Sequence, residues 1–239
     1  MDYTAQSSRH SARTIVKHVL AAMPVASVLD VGCARGTWLR AWQEAGVDDV
    51  LGVDGSYVDP TTLAIPKERF FAADLSKSFD LGRRFDLVQS LEVAEHIPAR
   101  SADCFIENLV RHSNGIILFS AAPPGQGGEF HVNEQPYDYW REKFARCGFA
   151  AYDCLRPVIV RDKSISFWYR YNSLLYVHVD VAHALAESVR RTRVDDARRI
   201  EDVSPLAFRM RKTFVRVLPE PLRQALARAK AHLMSGQGK

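Results

Sequence analysis

Short apolar runs alternate with helical patterns along most of this chain, and this alternation constrains its fold more than any other feature. Seven runs rich in β-branched and aromatic residues predict strands, at 25–32, 49–54, 69–74, 85–91, 115–121, 149–155 and 173–179. Periodic apolar positions between them predict helices, at 11–22, 37–45, 101–112 and 136–146. Strands and helices that alternate in this way form a mainly parallel sheet covered on both faces. The sequence therefore predicts an α/β fold with a seven-stranded sheet.

The last part of the chain differs from the rest in charge. Residues 186–239 carry 13 of the 32 basic and 6 of the 28 acidic side chains, a balance of +7, whereas residues 1–185 have a balance of −3. Basic amphipathic stretches at 207–218 and 222–233 predict helices in this region. The sequence thus divides into a domain at 1–185 and a helical tail at 186–239. The tail fits a peripheral membrane helix, a segment that docks to a partner protein, or a solvated extension, and its charge gives no reason to expect nucleic acid.

The composition and the N-terminal sequence indicate the cell compartment in which the protein is expected. Hydrophobic residues make up 47% of the chain and charged residues 25%, which is typical of a globular domain with a full core. No apolar run approaches the roughly 18 residues of a membrane span, and the N-terminus lacks the pattern of a signal peptide. The four cysteines (Cys33, Cys104, Cys147 and Cys154) show no C-x-x-C spacing, as expected of reduced thiols. These features predict a cytoplasmic protein.

The first predicted strand runs into a glycine-bearing turn and a helix, with the sequence V-L-D-V-G-C-A-R-G-T-W-L at 28–39. Gly32 and Gly36 permit a tight turn and a close approach of a ligand to the backbone. In open α/β sheets, ligands bind at the carboxyl ends of the strands, where the following helix presents free N–H groups. The glycine spacing is not the G-x-G-x-x-G of dinucleotide-binding folds. Asp30 would repel a pyrophosphate but would attract a cationic ligand.

The segment D-V-G-C-A-R-G at 30–36 resembles the D-x-G-x-G-x-G loop of class I S-adenosylmethionine-dependent methyltransferases of the small-molecule type. It departs from that pattern at the middle glycine, which is Ala34 in this chain. The resemblance covers roughly residues 10–180 and implies a Rossmann-like fold that uses S-adenosylmethionine. In this loop it assigns cofactor contacts to Asp30, Gly32, Cys33, Ala34 and Gly36.

Acids at the ends of the next predicted strands extend the resemblance. Asp54 ends the second strand, where an acid binds both ribose hydroxyls. Asp74 ends the third strand, where in this family an acid accepts a hydrogen bond from the adenine amino group. The segment F-D-L-V-Q-S-L-E-V-A-E-H-I-P at 85–98 resembles the fourth strand of many small-molecule methyltransferases. The further cofactor contacts that the resemblance implies are Gly55, Ala73, Leu75, Ser90, Leu91 and Glu92.

Two histidines are candidates for activating the methyl acceptor, because a hydroxyl must lose its proton when it is methylated. His96 follows the fourth strand, and in relatives this E-H pair lies near the cofactor, so its role is either catalytic or structural. His131 lies in the glycine-rich loop 123–135 and is either a base or substrate ligand, or a residue bonded to backbone at the entry of a helix. Asn133 acts beside His131 or, with Glu134, caps the helix that follows.

An aromatic segment, S-F-W-Y-R-Y-N at 166–172, precedes the last predicted strand. Trp168, Tyr169 and Asn172 combine ring faces with hydrogen-bonding groups, so they are candidate contacts for a sugar or a flat polyol. Tyr171 is a candidate catalytic residue in the same segment. The alternative of simple packing at the sheet edge explains these residues equally well.

The resemblance implies a methyltransferase that acts on an O or N atom of a small molecule or carbohydrate. Two alternatives keep the cofactor: a cyclase or lyase that releases methylthioadenosine, with Asn133 and Tyr171 steering the amino-carboxypropyl arm, and a non-catalytic binding module. The glycine spacing disfavours an NAD-dependent oxidoreductase. No His/Asp group has the spacing of metal ligands, so the sequence predicts no metal. No Asp/Asn-Pro-Pro-Tyr/Phe segment follows the fourth strand, which argues against methylation of amines in DNA.

Overall fold

The computed structural model describes residues 3–218 and residue 222 of the chain. Its strands are β1 (Ser27–Val31), β2 (Asp49–Asp54), β3 (Phe70–Ala72), β4 (Leu87–Leu91), β5 (Ile116–Ser120), β6 (Phe149–Tyr152) and β7 (Leu174–His178). Its α-helices are α1 (Tyr3–Ala22), α2 (Thr37–Glu44), α3 (Ala102–Arg111), α4 (Tyr137–Arg146), α5 (Arg156–Ile159), α6 (Phe167–Asn172), α7 (Glu187–Arg190) and α8 (Leu206–Arg216). Short 3-10 helices lie at Pro60–Thr62, Lys67–Arg69, Ala94–His96, Ala99–Ser101 and Ala182–Ala184.

The strands form one sheet in the order β3-β2-β1-β4-β5-β7-β6. Neighbouring strands from β3 to β5 pair in parallel, whereas β7 runs antiparallel to both β5 and β6. The chain leaves β1 toward β2 and β3 on one side and returns to β4 on the other side. Ligands of α/β proteins bind at the carboxyl ends of the strands beside such a reversal. The strand order therefore places a candidate site at the ends of β1, β2 and β4.

Helices cover both faces of the sheet. Two adjacent residues of β1 show the division, because Val28 packs in a cluster with α1 and α2 while Leu29 packs in a cluster with α3 and α4. Trp42 on the first face and Phe144 on the second are fully buried. Burying a large apolar side chain contributes about 1.5–3 kcal/mol to stability. The two layers and the strand order confirm the predicted Rossmann-like fold class with a seven-stranded, mainly parallel sheet.

Several elements begin or end elsewhere than the sequence pattern predicts. Helix α1 extends to Tyr3, well before the predicted start at residue 11. The aromatic segment at 166–172, in which the pattern indicates no helix, forms α6. Strand β2 matches its predicted run, whereas the other six strands are shorter than theirs, because their flanking residues turn toward the loops instead of pairing with a neighbour. The loops at the strand ends therefore contain several of the residues predicted to bind ligand.

The chain after residue 185 packs against the domain. The amide of Val194 donates to the carbonyl of Ala151 at 2.8 Å, and an antiparallel bridge joins Arg193 to Tyr152 in β6. Ile200 is buried in the same cluster as α3 and α4. Residues 192–194 of the predicted tail thus lie along the edge strand β6, and Ile200 enters the core. The second predicted amphipathic stretch, at 222–233, lies outside the described residues apart from residue 222.

Helix α8 has a face toward the domain and a face toward solvent. On the inner face, the buried Lys212 donates to Asp202 at 2.5 Å, and Arg211 donates to the carbonyl of Gln126 at 3.2 Å. The outer face carries exposed apolar side chains, namely Leu206, Met210, Phe214 and Val217. A docking role for the tail would use this outer face. In the described part of the chain, no helix combines the length and the apolarity needed to cross a bilayer.

Candidate active site

A cavity of about 810 Å³ opens at the carboxyl ends of β1, β2 and β4. This volume lies within the range of small-molecule and cofactor sites. Its lining comes from the loops after β1 to β4, and consists of Gly32, Ala34, Asp54, Gly55, Ser56, Tyr57, Ala72, Ala73, Asp74, Leu75, Ser76, Glu92, Val93, His96, Ile97 and Pro98. The cavity thus lies where the strand order reverses, and its lining contains most of the residues predicted to bind the cofactor.

The glycine turn after β1 depends on positive φ angles. Gly32 has φ +88°, and a Cβ atom at this position would lie 2.3 Å from a methyl group of Val93. Gly36 has φ +74°, and a Cβ atom there would lie 2.9 Å from Ile65. Ala34, at the position of the middle family glycine, keeps a positive φ of 46°. The turn therefore keeps positive φ angles at Gly32, Ala34 and Gly36, although Ala34 carries a methyl group.

Asp54 ties the turn after β1 to the loop after β2. One of its carboxylate oxygens accepts from the amide of Ala34 at 2.7 Å. The other accepts from the amide of Gly55 at 2.7 Å and from the hydroxyl of Tyr57 at 2.5 Å. Tyr57 is 82% exposed, so its hydroxyl reaches Asp54 from the open side of the cavity. The sequence patterns above do not single out Tyr57, although an aromatic residue just after a strand-end acid is a usable signal.

Asp30 is buried beside the turn, in register with Gly52 and Gln89 of the neighbouring strands. Burial raises the pKa of its carboxyl group to about 7, with an opposing contact from the Gln89 amide and a further rise from the charge of Asp54. The indole of Trp42 donates to the side-chain oxygen of Gln89 at 2.8 Å, which fixes the orientation of that amide. One carboxylate oxygen of Asp30 has no partner among the described residues. A cationic ligand would supply the missing interaction.

The loop after β3 supplies a polar rim and an apolar wall. Asp74 is exposed at the cavity and accepts from the amide and the hydroxyl of Ser76. These hydrogen bonds, together with Lys77 at 3.2 Å, lower the pKa of Asp74. Leu75 is buried and joins Ala73 in the apolar wall. An aromatic base can stack against such a wall while its polar edge meets the rim.

The end of β4 turns sharply into the site. The hydroxyl of Ser90 donates to the carbonyl of Val31 at 2.8 Å and joins β4 to β1, while Leu91 is buried in the core. Glu92 has a positive φ of 58°. Its carboxylate accepts from Gln126 at 2.8 Å and from Asn172 at 3.0 Å. Burial raises the pKa of Glu92, and these amide contacts partly oppose that rise.

His96 and His131, the two candidate histidines, lie side by side. Their ring centroids are 4.9 Å apart, with the rings nearly perpendicular. Nδ1 of His96 lies 3.2 Å from the carbonyl of Phe130, and Nδ1 of His131 lies 2.8 Å from the carboxylate of Glu134. Partial desolvation, with the nearby His131, lowers the pKa of His96. The loop after β4 and the loop 123–135 therefore meet at these rings.

Glu95 lies beneath the histidine pair, although the sequence patterns do not select it. Its carboxylate is 3.9 Å from Nε2 of His131, and one ligand atom each from Glu95, His96 and His131 all lie within 4.8 Å of one another. The side chain is 1% exposed, and burial together with the charge of Glu92 raises its pKa well above the ordinary value. One of its oxygens has no partner among the described residues. These three side chains, named here the Glu–His–His cluster, could hold a metal ion.

The loop 123–135 is held in place by the carboxylate of Glu134. This carboxylate accepts from the amides of Gly125 and Gly127 as well as from His131. Burial by itself raises the pKa of Glu134, but these hydrogen bonds outweigh it and lower the pKa. Asn133 is buried and accepts from Gln135. Neither Asn133 nor Glu134 caps α4, because Pro136 precedes that helix and no side chain bonds to its free amides.

The aromatic segment contributes one polar side chain to the site. Asn172 donates to Glu92 and also to Gln126 at 2.9 Å. Tyr169 is buried against the edge of Trp38 and accepts from its indole. The other two predicted residues pack in ring contacts, Trp168 with Phe167 and Tyr169, and Tyr171 with Phe167 and Phe208. Their surroundings are those of packing residues, and a role in substrate binding or catalysis stays a prediction.

The fold and the geometry of the site define a class of protein before any relative is considered. A glycine turn after β1, an acid at the end of β2 and an acid after β3 around one cavity are the features of a Rossmann-like domain that binds a nucleoside. The family model described as a methyltransferase domain matches residues 6–151, which is more than half of the chain. The chain therefore belongs to this methyltransferase family. The match confirms the class I methyltransferase predicted from the glycine turn and the strand-end acids.

Solved structures share this fold, and several of them are described as methyltransferases. Magnesium protoporphyrin IX methyltransferase from Synechocystis, with bound SAH, is 21% identical over 72% of this chain and 84% of its own, with a TM-score of 0.53. DesVI from Streptomyces venezuelae is 14% identical over 72% and 92% of the two chains, with a TM-score of 0.56. The sugar N-methyltransferase KedS8 from Streptoalloteichus is 18% identical over 73% and 87%, with a TM-score of 0.53. No protein of curated function matches the sequence.

Proposed function

We propose that this protein transfers a methyl group from S-adenosylmethionine to an oxygen or nitrogen atom of a small molecule, with carbohydrates as the favoured acceptor class. One observation carries the proposal: His96, which lines the cavity together with Glu92, also belongs to the Glu–His–His cluster. The cavity with the features of a cofactor site therefore shares a wall with this cluster. A methyl transfer needs a donor and an acceptor held in line at one point. The shared wall provides such a point.

The residues of the cavity fit S-adenosylmethionine. Asp54 would bind the ribose hydroxyls, and the apolar wall at Ala73 and Leu75 would receive the adenine ring next to Asp74. Asp30 does not line the cavity but is buried beside the glycine turn, where its unpartnered oxygen would gain an electrostatic partner from the positive charge of the methionine part. The bound cofactor supplies an electrophilic methyl group. The protein positions that group, excludes water and prepares the acceptor atom.

The hydroxyl of Tyr57 donates a hydrogen bond to the carboxylate of Asp54, which is the group that would bind the ribose hydroxyls. A ribose diol can replace this single hydroxyl with two hydrogen bonds to the same carboxylate. Because Tyr57 is exposed, its side chain can turn away without disturbing the core. We infer that Tyr57 covers Asp54 until the cofactor enters.

The acceptor side is lined by groups that suit a polyhydroxylated or amino-substituted molecule. The amides of Gln126 and Asn172 meet the carboxylate of Glu92, and the cluster of Glu95, His96 and His131 lies on the same side of β4. Amides and carboxylates of this kind recognise hydroxyl and ammonium groups in bidentate patterns. Among proteins of the same fold, KedS8 is a sugar N-methyltransferase and CalS10 an amino pentose methyltransferase. Both support a carbohydrate acceptor without identifying it.

The proposal is tested first by cofactor binding. Calorimetry with S-adenosylmethionine and S-adenosylhomocysteine should show saturable binding of both to the wild type. Asp54→Asn, which keeps the size of the side chain, should weaken both about 10- to 100-fold, since it removes charge-assisted hydrogen bonds. Glu68→Ala, at an exposed acid outside the cavity, is the matched control and should bind like the wild type. If the folded wild type binds neither ligand, the proposed function is wrong.

Product analysis then distinguishes methyl transfer from the other reactions of the same cofactor. The enzyme is incubated with S-adenosylmethionine alone and with a panel of hydroxylated and amino sugars, and the nucleoside product is identified by mass spectrometry. We expect S-adenosylhomocysteine, formed only when an acceptor is present. Methylthioadenosine formed without an acceptor would instead indicate a cyclase or lyase. Cofactor binding without turnover of any acceptor would favour a binding module.

A further inference from the structure

We propose that Glu95, His96 and His131 bind a divalent transition-metal ion, and that this ion holds and activates the acceptor atom. The inference rests on the methyltransferase function proposed above and specifies how its acceptor side works. Ligand atoms from the three side chains lie within 4.8 Å of one another. One carboxylate and two imidazoles form a ligand set that proteins use for Zn²⁺ and other first-row divalent ions.

The distances require little movement to form the site. Tetrahedral coordination at about 2.05 Å places neighbouring ligand atoms about 3.3 Å apart. Nε2 of His131 and the Glu95 carboxylate are separated by 3.9 Å, so this pair needs to close by about 0.6 Å, and no pair in the cluster needs to close by more than about 1.5 Å. His96 follows Glu95 directly in a short 3-10 helix, and its exposed ring can rotate toward a metal. Three protein ligands leave at least one coordination position for an acceptor oxygen or nitrogen.

Both imidazoles are oriented as metal ligands. Nδ1 of His131 contacts the carboxylate of Glu134 at 2.8 Å, and Nδ1 of His96 contacts the carbonyl of Phe130 at 3.2 Å. An acceptor at Nδ1 places the proton on that nitrogen and leaves the lone pair of Nε2 available for a metal. Metal-binding histidines usually have such a carboxylate or carbonyl behind them. Glu134 and Phe130 thus act as positioning residues.

Burial supplies an independent indication of a missing ligand. Glu95 is 1% exposed, and one of its oxygens has no hydrogen-bond partner among the described residues. Among the described residues, the only ion-pair partner of Glu95 is His131, whose Nε2 lies 3.9 Å from the carboxylate; no lysine or arginine pairs with it. A buried carboxylate without a cation is costly, and the neighbouring carboxylate of Glu92 adds to that cost. A divalent ion at the Glu–His–His cluster would neutralise both.

The position of the cluster connects the metal to the proposed reaction. His96 lines the same cavity as Asp54 and Leu75, so an acceptor bound to the metal would lie beside the cofactor site. A metal lowers the pKa of a coordinated hydroxyl, as it does for bound water. The acceptor O–H then gives its proton to solvent, its oxygen forms the bond to the methyl carbon, and the bond from that carbon to sulfur breaks. The sulfonium becomes a neutral thioether.

Metal binding is measured directly on the full-length chain, without an affinity tag and after treatment with EDTA. Zn²⁺ and Mn²⁺ are titrated by calorimetry, and bound metal is counted by mass spectrometry after gel filtration. We expect about one equivalent of metal per chain, because the described residues contain one group of three side chains placed to bind a metal. Folded protein that retains no more than trace metal with either ion would overturn the proposal.

Variants assign the binding to the Glu–His–His cluster. His96→Asn and Glu95→Gln should each weaken the metal at least about tenfold, since each removes a ligand. His183→Asn, an exposed histidine in the 3-10 helix Ala182–Ala184, should bind metal like the wild type. Glu95 is buried, so circular dichroism must show that Glu95→Gln folds. If it does not fold, the exposed His96 provides the test, because His96→Asn shows whether the cluster binds the metal. Unchanged affinity in folded His96→Asn would contradict the proposal.

Two further readouts separate this inference from the proposed function. Metal-free protein should still bind S-adenosylhomocysteine, because the residues proposed to bind its nucleoside, Asp54, Asp74 and Leu75, lie outside the Glu–His–His cluster. If the protein binds S-adenosylhomocysteine but no metal, the metal proposal is wrong and the methyltransferase proposal stands. Once an acceptor is found, EDTA should abolish turnover and Zn²⁺ or Mn²⁺ should restore it. Full activity of the metal-free enzyme would show that the histidines act without an ion.

Discussion

At the scale of single residues, backbone strain is concentrated around the candidate site. Ala34, Glu92 and Phe130 are the non-glycine residues with positive φ in the described chain, and all three lie in loops at the carboxyl ends of the strands. This conformation costs a residue with a Cβ atom about 1–2 kcal/mol. Hydrogen bonds offset the cost, as at Ala34, whose amide donates to Asp54. Strain kept in this way is typical of functional sites.

The buried Asp30 makes stability depend on pH. Its pKa is raised to about 7 in the folded protein, chiefly by burial, against an ordinary value of 3.8. The folded state therefore binds this proton more tightly than the unfolded state, and stability falls as pH rises from about 4 to about 7. Asp30→Asn should remove this contribution, which approaches about 1.4 kcal/mol per pH unit within the window. The measurement is urea unfolding of both proteins from pH 5 to pH 8.

The comparison isolates Asp30, because the two proteins share every other titrating group. The difference in unfolding free energy between Asp30→Asn and the wild type should grow in favour of the variant as pH rises toward 7. Above pH 7 the difference should level off, since Asp30 is then ionised in both states. A difference that is constant across this range would show that Asp30 titrates normally in the folded protein.

At the scale of elements, α8 and the loop 123–135 hold each other in place. Gly125 has φ +83°, and a Cβ atom there would lie 2.1 Å from the carbonyl oxygen of Lys212 in α8. The amide of Gly125 also donates to Glu134, which orients His131. A helix beyond the predicted domain therefore supports the loop that carries a candidate catalytic residue.

This contact predicts a destabilising substitution with a clean control. Gly125→Ala should lower the free energy of unfolding by about 2–3 kcal/mol, because the methyl group meets backbone that must move. Gly82→Ala has a similar φ of +66° but open space around its Cβ position, so it should cost only about 1 kcal/mol. Chemical denaturation measures both. Equal effects of the two substitutions would show that α8 does not press on the loop.

At the scale of the whole molecule, the sheet needs the chain beyond residue 185. The amide of Asp153 donates to the carbonyl of Thr192, and that of Val194 donates to Ala151, beside the short edge strand β6. The buried Arg156 donates to the carbonyl of Glu201. Without these contacts the edge of β6 would be unpaired, and Arg156 would lose one acceptor while keeping its ion pair with Asp153.

Truncation tests this dependence. A chain that ends after residue 185 should lose its cooperative thermal transition, because it exposes the edge of β6 and the core around Ile200. A chain that ends after residue 218 keeps these contacts and should unfold within about 1 kcal/mol of the full-length protein. Circular dichroism and calorimetry compare the two. If the 1–185 fragment folds cooperatively, the domain boundary predicted from the charge pattern holds.

The sequence by itself determined the layers of the fold and the position of the cavity at the strand ends. Apolar periodicity is local, so it predicts the seven strands and the main helices although their ends shift. The glycine turn at 30–36 and the acids Asp54 and Asp74 are also local signals, because each lies at the end of a strand or within two residues of it. Parallel strands bring such ends to one edge of the sheet. The cavity at that edge is where these patterns predict it.

Only the tertiary structure decided how the Glu–His–His cluster is assembled. Glu95 and His131 come from different loops, and no spacing in the sequence relates them, so a metal-ligand pattern could not be found there. The burial that leaves an oxygen of Glu95 without a partner depends on the loop 123–135. The packing of α8 on that loop depends in turn on a long-range contact between Gly125 and Lys212. Contacts of this kind are set by how the elements pack, because residues distant in sequence meet only after the sheet has formed.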